Sequence, residues 1–538
     1  MKCILRYASL SLAMMILALW ICSPLPAGAG HDQYNGIIPL NEIYEKLGVP
    51  VDSGHGRGRH GCPRPNDFEL LLELEVNYVD ASSDLPAFYQ VTGMLFPKIR
   101  FELRLPPKDE WNRKFYMTGC GVFCGGLDTN FPNGQFTNNL NWGLLRGYAA
   151  ATTDTGHDNM GLGRTYAEWA LNNRAGEIDW GFRSIHEVTR VSKALICAFY
   201  SRRPKYSYFA GCSTGGRQAV MEALRYPKDF DGVISGAPAL DYTGLVATWM
   251  SWVVQGVDGN LFDASDQAAI DQIVLDQCDS LDGAADGLIS DPRLCPEIDF
   301  SAAGLDPGQL AALNQLYSRP KNSSNEILYE GMVPYGSEFY WPIWLPGAEG
   351  TAANPLALQL IRPINDVFLK YMAFEVDDET FTATDFDFDT TPDQLEFMGR
   401  IYNATDTNLC KFKKAGGKII MYHGWADSIV PPFYSLDYYD RVAAAMGGVK
   451  KTQKFFRLFM VPGMDHCSTA QSLEFSGLGT SIGLDNFDVL GALEMWVEKG
   501  RPPDSLEASG WTRDGLPIEQ VLYPYRSDFG DNDDGDDD

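Results

Sequence analysis

The stretch that decides the fold is Tyr206-Ser-Tyr-Phe-Ala-Gly-Cys-Ser-Thr-Gly-Gly-Arg-Gln218. A β-type run opens it, a glycine-rich turn follows, and the residues from Thr214 to Arg225 are typical of a helix. The turn contains Gly211-Cys-Ser-Thr-Gly215, which fits the G-x-S-x-G pattern. Such a turn strains its serine into an exposed position, and only small neighbours let the strand and helix pack so closely. The sequence therefore predicts that Ser213 is a nucleophile.

A second match to the same pattern, Gly479-Thr-Ser-Ile-Gly483, has no clear helix after it. Hydrolases of this type carry their serine, acid and histidine in that chain order. The seven histidines lie at positions 31, 55, 60, 157, 186, 423 and 466, so none follows Ser481. The order favours Ser213, and the strand and helix around it argue against an ordinary glycine-rich turn.

The N-terminus has the pattern of a signal peptide over residues 1–29. Lys2 and Arg6 precede an apolar run from Ala8 to Cys22, and Ala27-Gly-Ala29 supplies small residues at the cleavage site. A membrane anchor is the alternative, but the run is short for a span and prolines follow it. We expect a secreted, extracellular or periplasmic protein that is not bound to a membrane.

The amino-acid composition limits the kinds of partner that the protein is expected to bind. The net charge is −28 and no basic patch stands out, which argues against nucleic-acid binding. Seven aspartates fall in residues 527–538, which predicts a disordered acidic tail. Of eleven cysteines, two lie in the predicted signal peptide; most of the other nine should pair in an oxidising compartment. The sequence does not fix the oligomeric state.

Strand and helix patterns alternate along most of the chain. Residues 30–61, rich in Gly, His, Arg and Pro, are predicted to be a linker. The α/β alternation that follows predicts a mostly parallel sheet covered on both faces, in two parts, residues 62–239 and 401–526. Predicted strands include Leu70 to Val76, Ile99 to Leu105, Lys114 to Thr118 and Tyr148 to Thr153. Residues 240–400 break the alternation and are interpreted as an insertion.

An early loop, Gly119-Cys-Gly-Val-Phe-Cys-Gly-Gly126, follows one of these strands and lets backbone amides face a small anion. In G-x-S-x-G hydrolases one oxyanion donor is the amide after the nucleophile, here Thr214, and another comes from an early strand-to-helix loop. Gly121 is the predicted second donor; an ordinary turn is the alternative. His157 follows a strand but precedes Ser213, so we expect it to have a supporting role.

Within the insertion, the loop from Cys278 to Cys295 is dense in aspartate and glycine. Hard oxygen ligands at this density suit a structural Ca²⁺, although the spacing is not that of an EF-hand. The predicted ligands are the side chains of Asp279, Asp282 and Asp286 and the carbonyl groups of Ala284 and Leu288. The two cysteines could close the loop as a disulfide; a solvated Asp/Gly turn is the alternative.

An aromatic cluster also lies in the insertion. Its members, more often core than binding surface, could equally stack on an aromatic substrate. They are Tyr329, Tyr335, Phe339, Tyr340, Trp341 and Trp344.

Two later strand ends supply an acid and a base. Asp427 follows a strand that ends at His423, and His466 follows a strand from Phe455 to Val461. Both come after Ser213 in the required order, and a carboxylate there would hold the imidazole that takes the serine proton. His423 and Asp465 are the nearest rivals. If Ser213 and His466 meet, their neighbours Cys212 and Cys467 could come within disulfide range.

These motifs resemble the tannase/feruloyl esterase family of α/β-hydrolases. The resemblance extends from about residue 62 to 525 and rests on Gly211-Cys-Ser-Thr-Gly-Gly-Arg-Gln218, His423-Gly-Trp-Ala-Asp427 and Pro462-Gly-Met-Asp-His-Cys467. It implies a triad of Ser213, Asp427 and His466, a Cys212–Cys467 bridge, and a lid formed by residues 240–400 that holds Ca²⁺. Relatives often have a run of glycines in place of Gly119-Cys-Gly-Val122, so the oxyanion loop is a departure.

The sequence thus predicts a secreted serine esterase acting on aromatic esters, hydroxycinnamoyl (such as feruloyl) or galloyl, either as small molecules or attached to a plant polymer. Alternatives are a hydrolase of a terephthalate monoester or other aromatic ester on the same triad, a peptidase, and a non-enzymatic calcium-stabilised ligand-binding protein. Cys120 and Cys124 could pair with each other, or one of them with Cys62. The pairing of Cys197 and Cys410 stays open.

Overall fold

The computed structural model describes residues 38–48, 65–127, 138–160, 163, 165–348, 358–467 and 483–526. The predicted signal peptide, most of the predicted linker, the acidic tail and Ser481 of the second G-x-S-x-G match lie outside these ranges. Among the helices within them, none has the length and hydropathy needed to cross a membrane.

Nine strands of the described residues form one sheet in the order β1-β2-β3-β5-β4-β6-β7-β8-β9, and three more form a small antiparallel sheet. The strands of the large sheet are β1 Leu71–Val79, β2 Phe88–Leu95, β3 Ile99–Leu105, β4 Lys114–Thr118, β5 Ala149–Thr153, β6 Tyr206–Cys212, β7 Gly232–Gly236, β8 Lys418–Gly424 and β9 Phe456–Val461. Those of the small sheet are β10 Gly483–Asn486, β11 Leu506–Trp511 and β12 Pro517–Leu522.

The large sheet is mostly parallel, as the sequence predicts. Strands β5, β4, β6, β7, β8 and β9 run parallel to one another, while β1, β2 and β3 add an antiparallel edge. Every residue of β5 and of β7 is buried. Parallel strands are buried on both faces because their crossover helices cover the sheet.

Helices cover both faces of this sheet. Successive strand side chains point to opposite faces, so Phe209 joins one apolar core while Tyr208 and Ala210 join another. The helix Ser184–Tyr200 belongs to the first core, and the helix Val489–Lys499 belongs to the second. The other helices of the two core parts are Leu40–Lys46, Leu140–Leu144, Arg174–Ile178, Thr214–Arg225, Cys410–Ala415, Phe433–Met446 and Val449–Thr452.

A long insertion, residues 237–402, lies between β7 and β8, although these two strands pair directly. None of its described residues adds a strand to the large sheet. It leaves the carboxyl end of β7, the same end at which β6 leads into Ser213. Its α-helices are Met250–Val257, Ala264–Cys278, Pro307–Leu316, Trp341–Trp344, Ile361–Tyr371, Thr391–Gln394 and Glu396–Tyr402.

Two local predictions need correction. Residues 40–46, assigned to a linker, form a helix because Ile43 and Leu47 lie one turn apart and are both buried. The helical spacing of Ile185, Val188 and Val191 predicts one helix from Trp180 to Tyr200. In the structure a π-helical turn over Asp179–Arg183 comes first, and the α-helix starts at Ser184.

Candidate active site

Ser213 sits in a strained turn between β6 and the helix that follows. Its backbone angles are φ 63° and ψ −123°, a combination that costs a non-glycine residue about 1–3 kcal/mol. Its backbone N–H donates to the Gly236 carbonyl at 3.0 Å. A Cβ atom on Gly211 would lie 2.5 Å from the Gly215 backbone, and one on Gly216 would lie 2.3 Å from the Gly236 oxygen. The glycines are therefore what lets the strand and the helix approach around this serine.

The turn opens into a cavity of about 220 Å³. Ser213, Thr214, Gly121 and His466 all line it, although they come from three distant parts of the chain. The structure thus places the predicted nucleophile, the predicted base and both predicted oxyanion donors around one space.

Asp427 and His466 form a buried pair. The imidazole Nδ1–H of His466 donates to Asp427 Oδ2 at 2.6 Å, and the backbone amides of Ile429 and Val430 donate to Oδ1 at 3.1 and 2.8 Å. Burial by itself raises the pKa of Asp427, but the charge of His466 and the hydrogen bonds from two imidazoles lower it below its usual value. The carboxylate is therefore ionised at neutral pH and holds the His466 ring with Nε2 free to act as a base.

His423 is the second imidazole on that carboxylate. Its Nε2 lies 3.2 Å from Asp427 Oδ2 and 2.8 Å from the Val430 carbonyl, and its Nδ1 lies 2.8 Å from Ser435 Oγ. The ring is fully buried, whereas His466 lines the cavity. Of the two histidines that the sequence offers, the geometry favours His466 as the base and gives His423 a supporting position behind Asp427.

A disulfide joins the two halves of the site. Cys212 and Cys467 are bonded, with their Cα atoms 5.8 Å apart, across a sequence separation of 255 residues. Because these cysteines are the immediate neighbours of Ser213 and His466, the bond fixes the two segments side by side. This pairing confirms the one that the resemblance implies.

The remaining described cysteines also pair. Cys120 and Cys124 bond to each other, which decides between the alternatives left open by the sequence, and Cys278–Cys295 closes the aspartate-rich loop as expected. Cys197 and Cys410 are disulfide-bonded as well. Cys62 lies outside the described residues.

The loop that carries Gly121 is held in place by hydrogen bonds. Thr214 Oγ1 donates to the Val122 carbonyl at 2.7 Å, and His157 Nε2–H donates to the Phe123 carbonyl at 2.8 Å. Burial lowers the pKa of His157 to about 4, so the ring is neutral at pH 7 and also stacks on Trp169. Thr214 is the first residue of its helix, where a backbone N–H has no intrahelical acceptor. A fixed loop around Gly121 and an amide of Thr214 without an intrahelical acceptor are what the binding of an oxyanion requires.

Sequence reasoning missed two contacts at the site. Asn138 accepts from the Cys212 amide at 2.9 Å and donates to the Cys212 carbonyl at 3.2 Å, and no motif marks this residue. Trp344 packs edge-on against the His466 ring, with centroids 5.7 Å apart, and donates from Nε1 to Asp465 Oδ2 at 2.8 Å. The aromatic cluster was the available signal for Trp344.

Asp465, the rival acid, affects the base through charge. Burial lowers the pKa of His466, but attraction to Asp427 and Asp465 outweighs that effect and raises the pKa overall. Asp465 contacts Trp344, while Asp427 holds Nδ1 of the ring.

The aspartate-rich loop has donors suited to a hard cation. Its three carboxylates each accept a backbone N–H within the loop: Asp279 from Gly287, Asp282 from Ala284 and Ser290, and Asp286 from Leu288. Burial and the nearby charges of Asp279 and Asp282 raise the pKa of Asp286. Over the described part of the chain, however, no group of three or more His, Cys, Asp or Glu side chains is placed to hold a metal ion. The donor chemistry fits Ca²⁺, and the carboxylates would have to turn toward it.

A strained serine at the carboxyl end of a parallel strand, with an acid and a histidine on later strand ends, is the arrangement of the α/β-hydrolases. Comparison with known proteins identifies the family within this class. The profile described as "Tannase and feruloyl esterase" matches residues 88–532. The chain belongs to this family, and it is a carboxylic ester hydrolase.

Relatives and a solved structure agree with this assignment. A mono(2-hydroxyethyl) terephthalate hydrolase of Piscinibacter sakaiensis is 31% identical over 505 residues, covering 80% of this chain and 79% of that protein. A probable feruloyl esterase B-1 of Aspergillus fumigatus is 35% identical over 397 residues, covering 71% and 73%. The crystal structure of feruloyl esterase B from Aspergillus oryzae shares the fold, with a TM-score of 0.68 at 24% identity, covering 85% and 92%.

Proposed function

We propose that the protein is a secreted serine esterase that cleaves aromatic carboxylic esters through an acyl-enzyme. The observation that carries this proposal is the Asp427–His466 hydrogen bond in a wall of the cavity that Ser213 lines, with a disulfide tying the two segments together. A buried ionised acid, an imidazole and a strained serine in this relation are the parts of nucleophilic acyl transfer.

The reaction follows from the roles of these groups. Ser213 Oγ attacks the ester carbonyl while His466 Nε2 takes its proton, and Asp427 stabilises the imidazolium that forms. His466 then returns the proton to the leaving alcohol, and water repeats the sequence to release the acid. The amides of Thr214 and Gly121 would bind the oxyanion, each worth about 3 kcal/mol of transition-state stabilisation.

The aromatic substrate is supported by the names of the relatives, which include feruloyl esterases and a terephthalate monoester hydrolase. Tyr242 and Trp344 bring aromatic rings to the cavity. The ester would be a small molecule or a group on a plant polymer. Secretion is supported by the signal pattern over residues 1–29 and by the disulfides, which persist in oxidising compartments.

Replacement of Ser213 tests the function. In Ser213→Ala we expect kcat for a p-nitrophenyl ester to fall by about 10⁴–10⁶, the range seen when a serine nucleophile is removed, with an unchanged melting temperature. Ser481→Ala, in the second G-x-S-x-G match, is the matched control and should keep full activity. A Ser213→Ala variant that retains its activity would reject the assignment.

We also propose that the loop of Asp279, Asp282 and Asp286 binds a structural Ca²⁺, with carbonyls of Ala284 and Leu288 as further ligands. The crowding of carboxylates supports it: burial and, after it, repulsion from Asp279 and Asp282 raise the pKa of Asp286, and a divalent cation would offset both effects. Calorimetric titration of the chelator-treated protein with CaCl₂ measures the binding directly. An absence of binding heat, with the same result for Asp286→Asn, would end this proposal.

A further inference from the structure

The insertion supplies eight of the eighteen described residues that line the cavity in front of Ser213. Beyond the residues of the predicted chemistry, the wall is formed chiefly by large apolar side chains. They are Leu245, Val246, Met250, Trp344, Leu360 and Ile364. Ile429 and Val430 of the core complete this surface, so an acyl group attached to Ser213 would lie against hydrocarbon on most sides.

Most of the polar side chains on the described wall already have hydrogen-bond partners. The side-chain amide of Asn138 donates to the Cys212 carbonyl and accepts from the Cys212 N–H. The indole N–H of Trp344 donates to Asp465. Thr214 Oγ1 donates to the Val122 carbonyl. A ring that brings several free hydroxyl groups into this space would lose hydrogen bonds to water and gain few in return.

The fixed charges beside the cavity are negative. Among the described lining residues His466 is the single ionisable side chain other than Tyr242. The carboxylates that act on it, Asp427 and Asp465, are both buried. A carboxylate on the substrate ring would therefore be desolvated near two anions, and the one cation that can form on the described lining, the His466 imidazolium, is already paired with Asp427.

The cavity is also small. Its volume of about 220 Å³ is below the roughly 300–1,000 Å³ typical of pockets for drug-sized ligands. It therefore suits the acyl half of an ester with a single ring, while the alcohol half lies outside.

We infer that the acyl group accepted here is an uncharged, hydroxyl-poor aromatic ring, and that terephthalate monoesters and galloyl esters are poor substrates. This inference rests on the proposed function, since it concerns the acyl side of the same site. The specificity-determining feature is the apolar wall that the insertion supplies.

Two matched pairs of methyl esters test it with the full-length secreted protein. Methyl 4-methylbenzoate and monomethyl terephthalate have nearly the same shape and differ by one negative charge; methyl benzoate and methyl gallate differ by three hydroxyl groups. We expect kcat/KM to fall by at least about 100-fold across the first pair and about tenfold or more across the second, because an apolar pocket rejects an added hydroxyl only modestly.

p-Nitrophenyl acetate has an acyl group too small to contact most of the apolar wall. Its hydrolysis therefore shows whether the proposed function has failed or only the inference about the acyl group. If acetate is not cleaved, the proposed esterase function fails and the inference fails with it. If acetate is cleaved and monomethyl terephthalate or methyl gallate reacts as fast as its partner, the inference alone is overturned.

A charge placed on the wall provides the converse test. Leu360 is only partly buried at the start of the helix Ile361–Tyr371, so Leu360→Arg should be tolerated. We expect this variant to raise kcat/KM for monomethyl terephthalate at least tenfold relative to methyl 4-methylbenzoate, while Leu360→Met leaves the ratio unchanged. An unchanged ratio in a folded Leu360→Arg protein would contradict the inference.

Arg164 is a cationic residue that directly precedes the lining residue Thr165 in the sequence, and it lies outside the described residues. Arg164→Ala belongs in the same panel. We expect the ratio of the first ester pair to be the same as in the parent protein. If the parent cleaves the monoester well and Arg164→Ala loses that activity, the inference is overturned and the source of the missing cation is identified.

Discussion

The core and the insertion contribute to the site in different ways. The core positions its polar groups by backbone geometry: Ser213 is fixed by a strained turn, and Asp427 by two amides and two imidazoles. The insertion contributes side chains that are mostly apolar, from helices outside the sheet. The difference teaches that, in the proposed mechanism, proton transfer falls to the core while the insertion supplies much of the apolar surface for the substrate.

That separation has a physical basis. Proton transfer needs atoms held at hydrogen-bond distances, which strand ends of a packed sheet can provide. Recognition of an apolar ring depends on shape and hydrocarbon contact, which many side chains can supply. Trp344 of the insertion reaches the catalytic groups of the core, since it contacts the ring of His466 and is hydrogen-bonded to Asp465.

The largest effect that can distinguish the two parts tests whether the core alone carries the chemistry. In Asp427→Asn the amide can no longer stabilise the imidazolium or hold its tautomer, and we expect kcat to fall by about 10⁴ for acetate and aromatic esters alike. Steady-state kinetics on both esters measures it, and Asp465→Asn, one residue from His466, is the control that should keep most of its kcat. A loss confined to aromatic esters would break the division between core and insertion.

The next effect concerns the bond that spans the insertion. Cys212→Ala with Cys467→Ala releases a loop with a sequence separation of 255 residues. The chain-entropy relation gives a loss of about 5.5 kcal/mol in the free energy of unfolding. The pair Cys120→Ala and Cys124→Ala, with a separation of 4 residues, should cost about 2 kcal/mol by the same relation. Urea unfolding compares them, and equal losses would show that closure across the insertion is not what stabilises the fold.

A smaller effect is confined to the insertion. If Ca²⁺ binds the aspartate-rich loop, an ion concentration of 100 times Kd stabilises the protein by about 2.7 kcal/mol, so EDTA should lower the melting temperature. Because none of the predicted ligands lines the cavity, kcat for acetate below the transition should not change. Asp286→Asn should abolish the response to EDTA. If EDTA leaves the melting temperature of the parent protein unchanged, the prediction of a structural Ca²⁺ is wrong.

The smallest effect lies at the contact between the two parts. The base must be neutral to accept the serine proton, and the pKa of His466 is raised above its ordinary 6.5, so kcat/KM should rise with pH through an inflection above 6.5. Asp465→Asn removes an anion that favours the imidazolium, so the inflection should move to lower pH, while the amide oxygen can still accept from Trp344. A pH–rate profile that moves the other way, or not at all, would show that Asp465 does not act on His466 through charge.

How far the sequence predicted the fold depends on how local each feature is. The bounds of β3, of β4 and of the helix Thr214–Arg225 agree with the pattern of residues within those segments. The helix Leu40–Lys46 was missed because its stability comes from burying Ile43 against the sheet edge at β1. The seven-residue segment itself has little helical signal, and short helices depend on such packing.

The sequence by itself determined the strained Gly211–Gly215 turn and the order of serine, acid and histidine, because sterics and strand–helix periodicity act over a few neighbouring residues. Tertiary structure decided that His466 shares the cavity with Ser213 while His423 is buried behind Asp427, and that Cys120 pairs with Cys124. It also decided the apolar character of the cavity, whose wall draws on segments far apart in the chain. Such convergence depends on how the whole sheet and insertion pack, which no local pattern encodes.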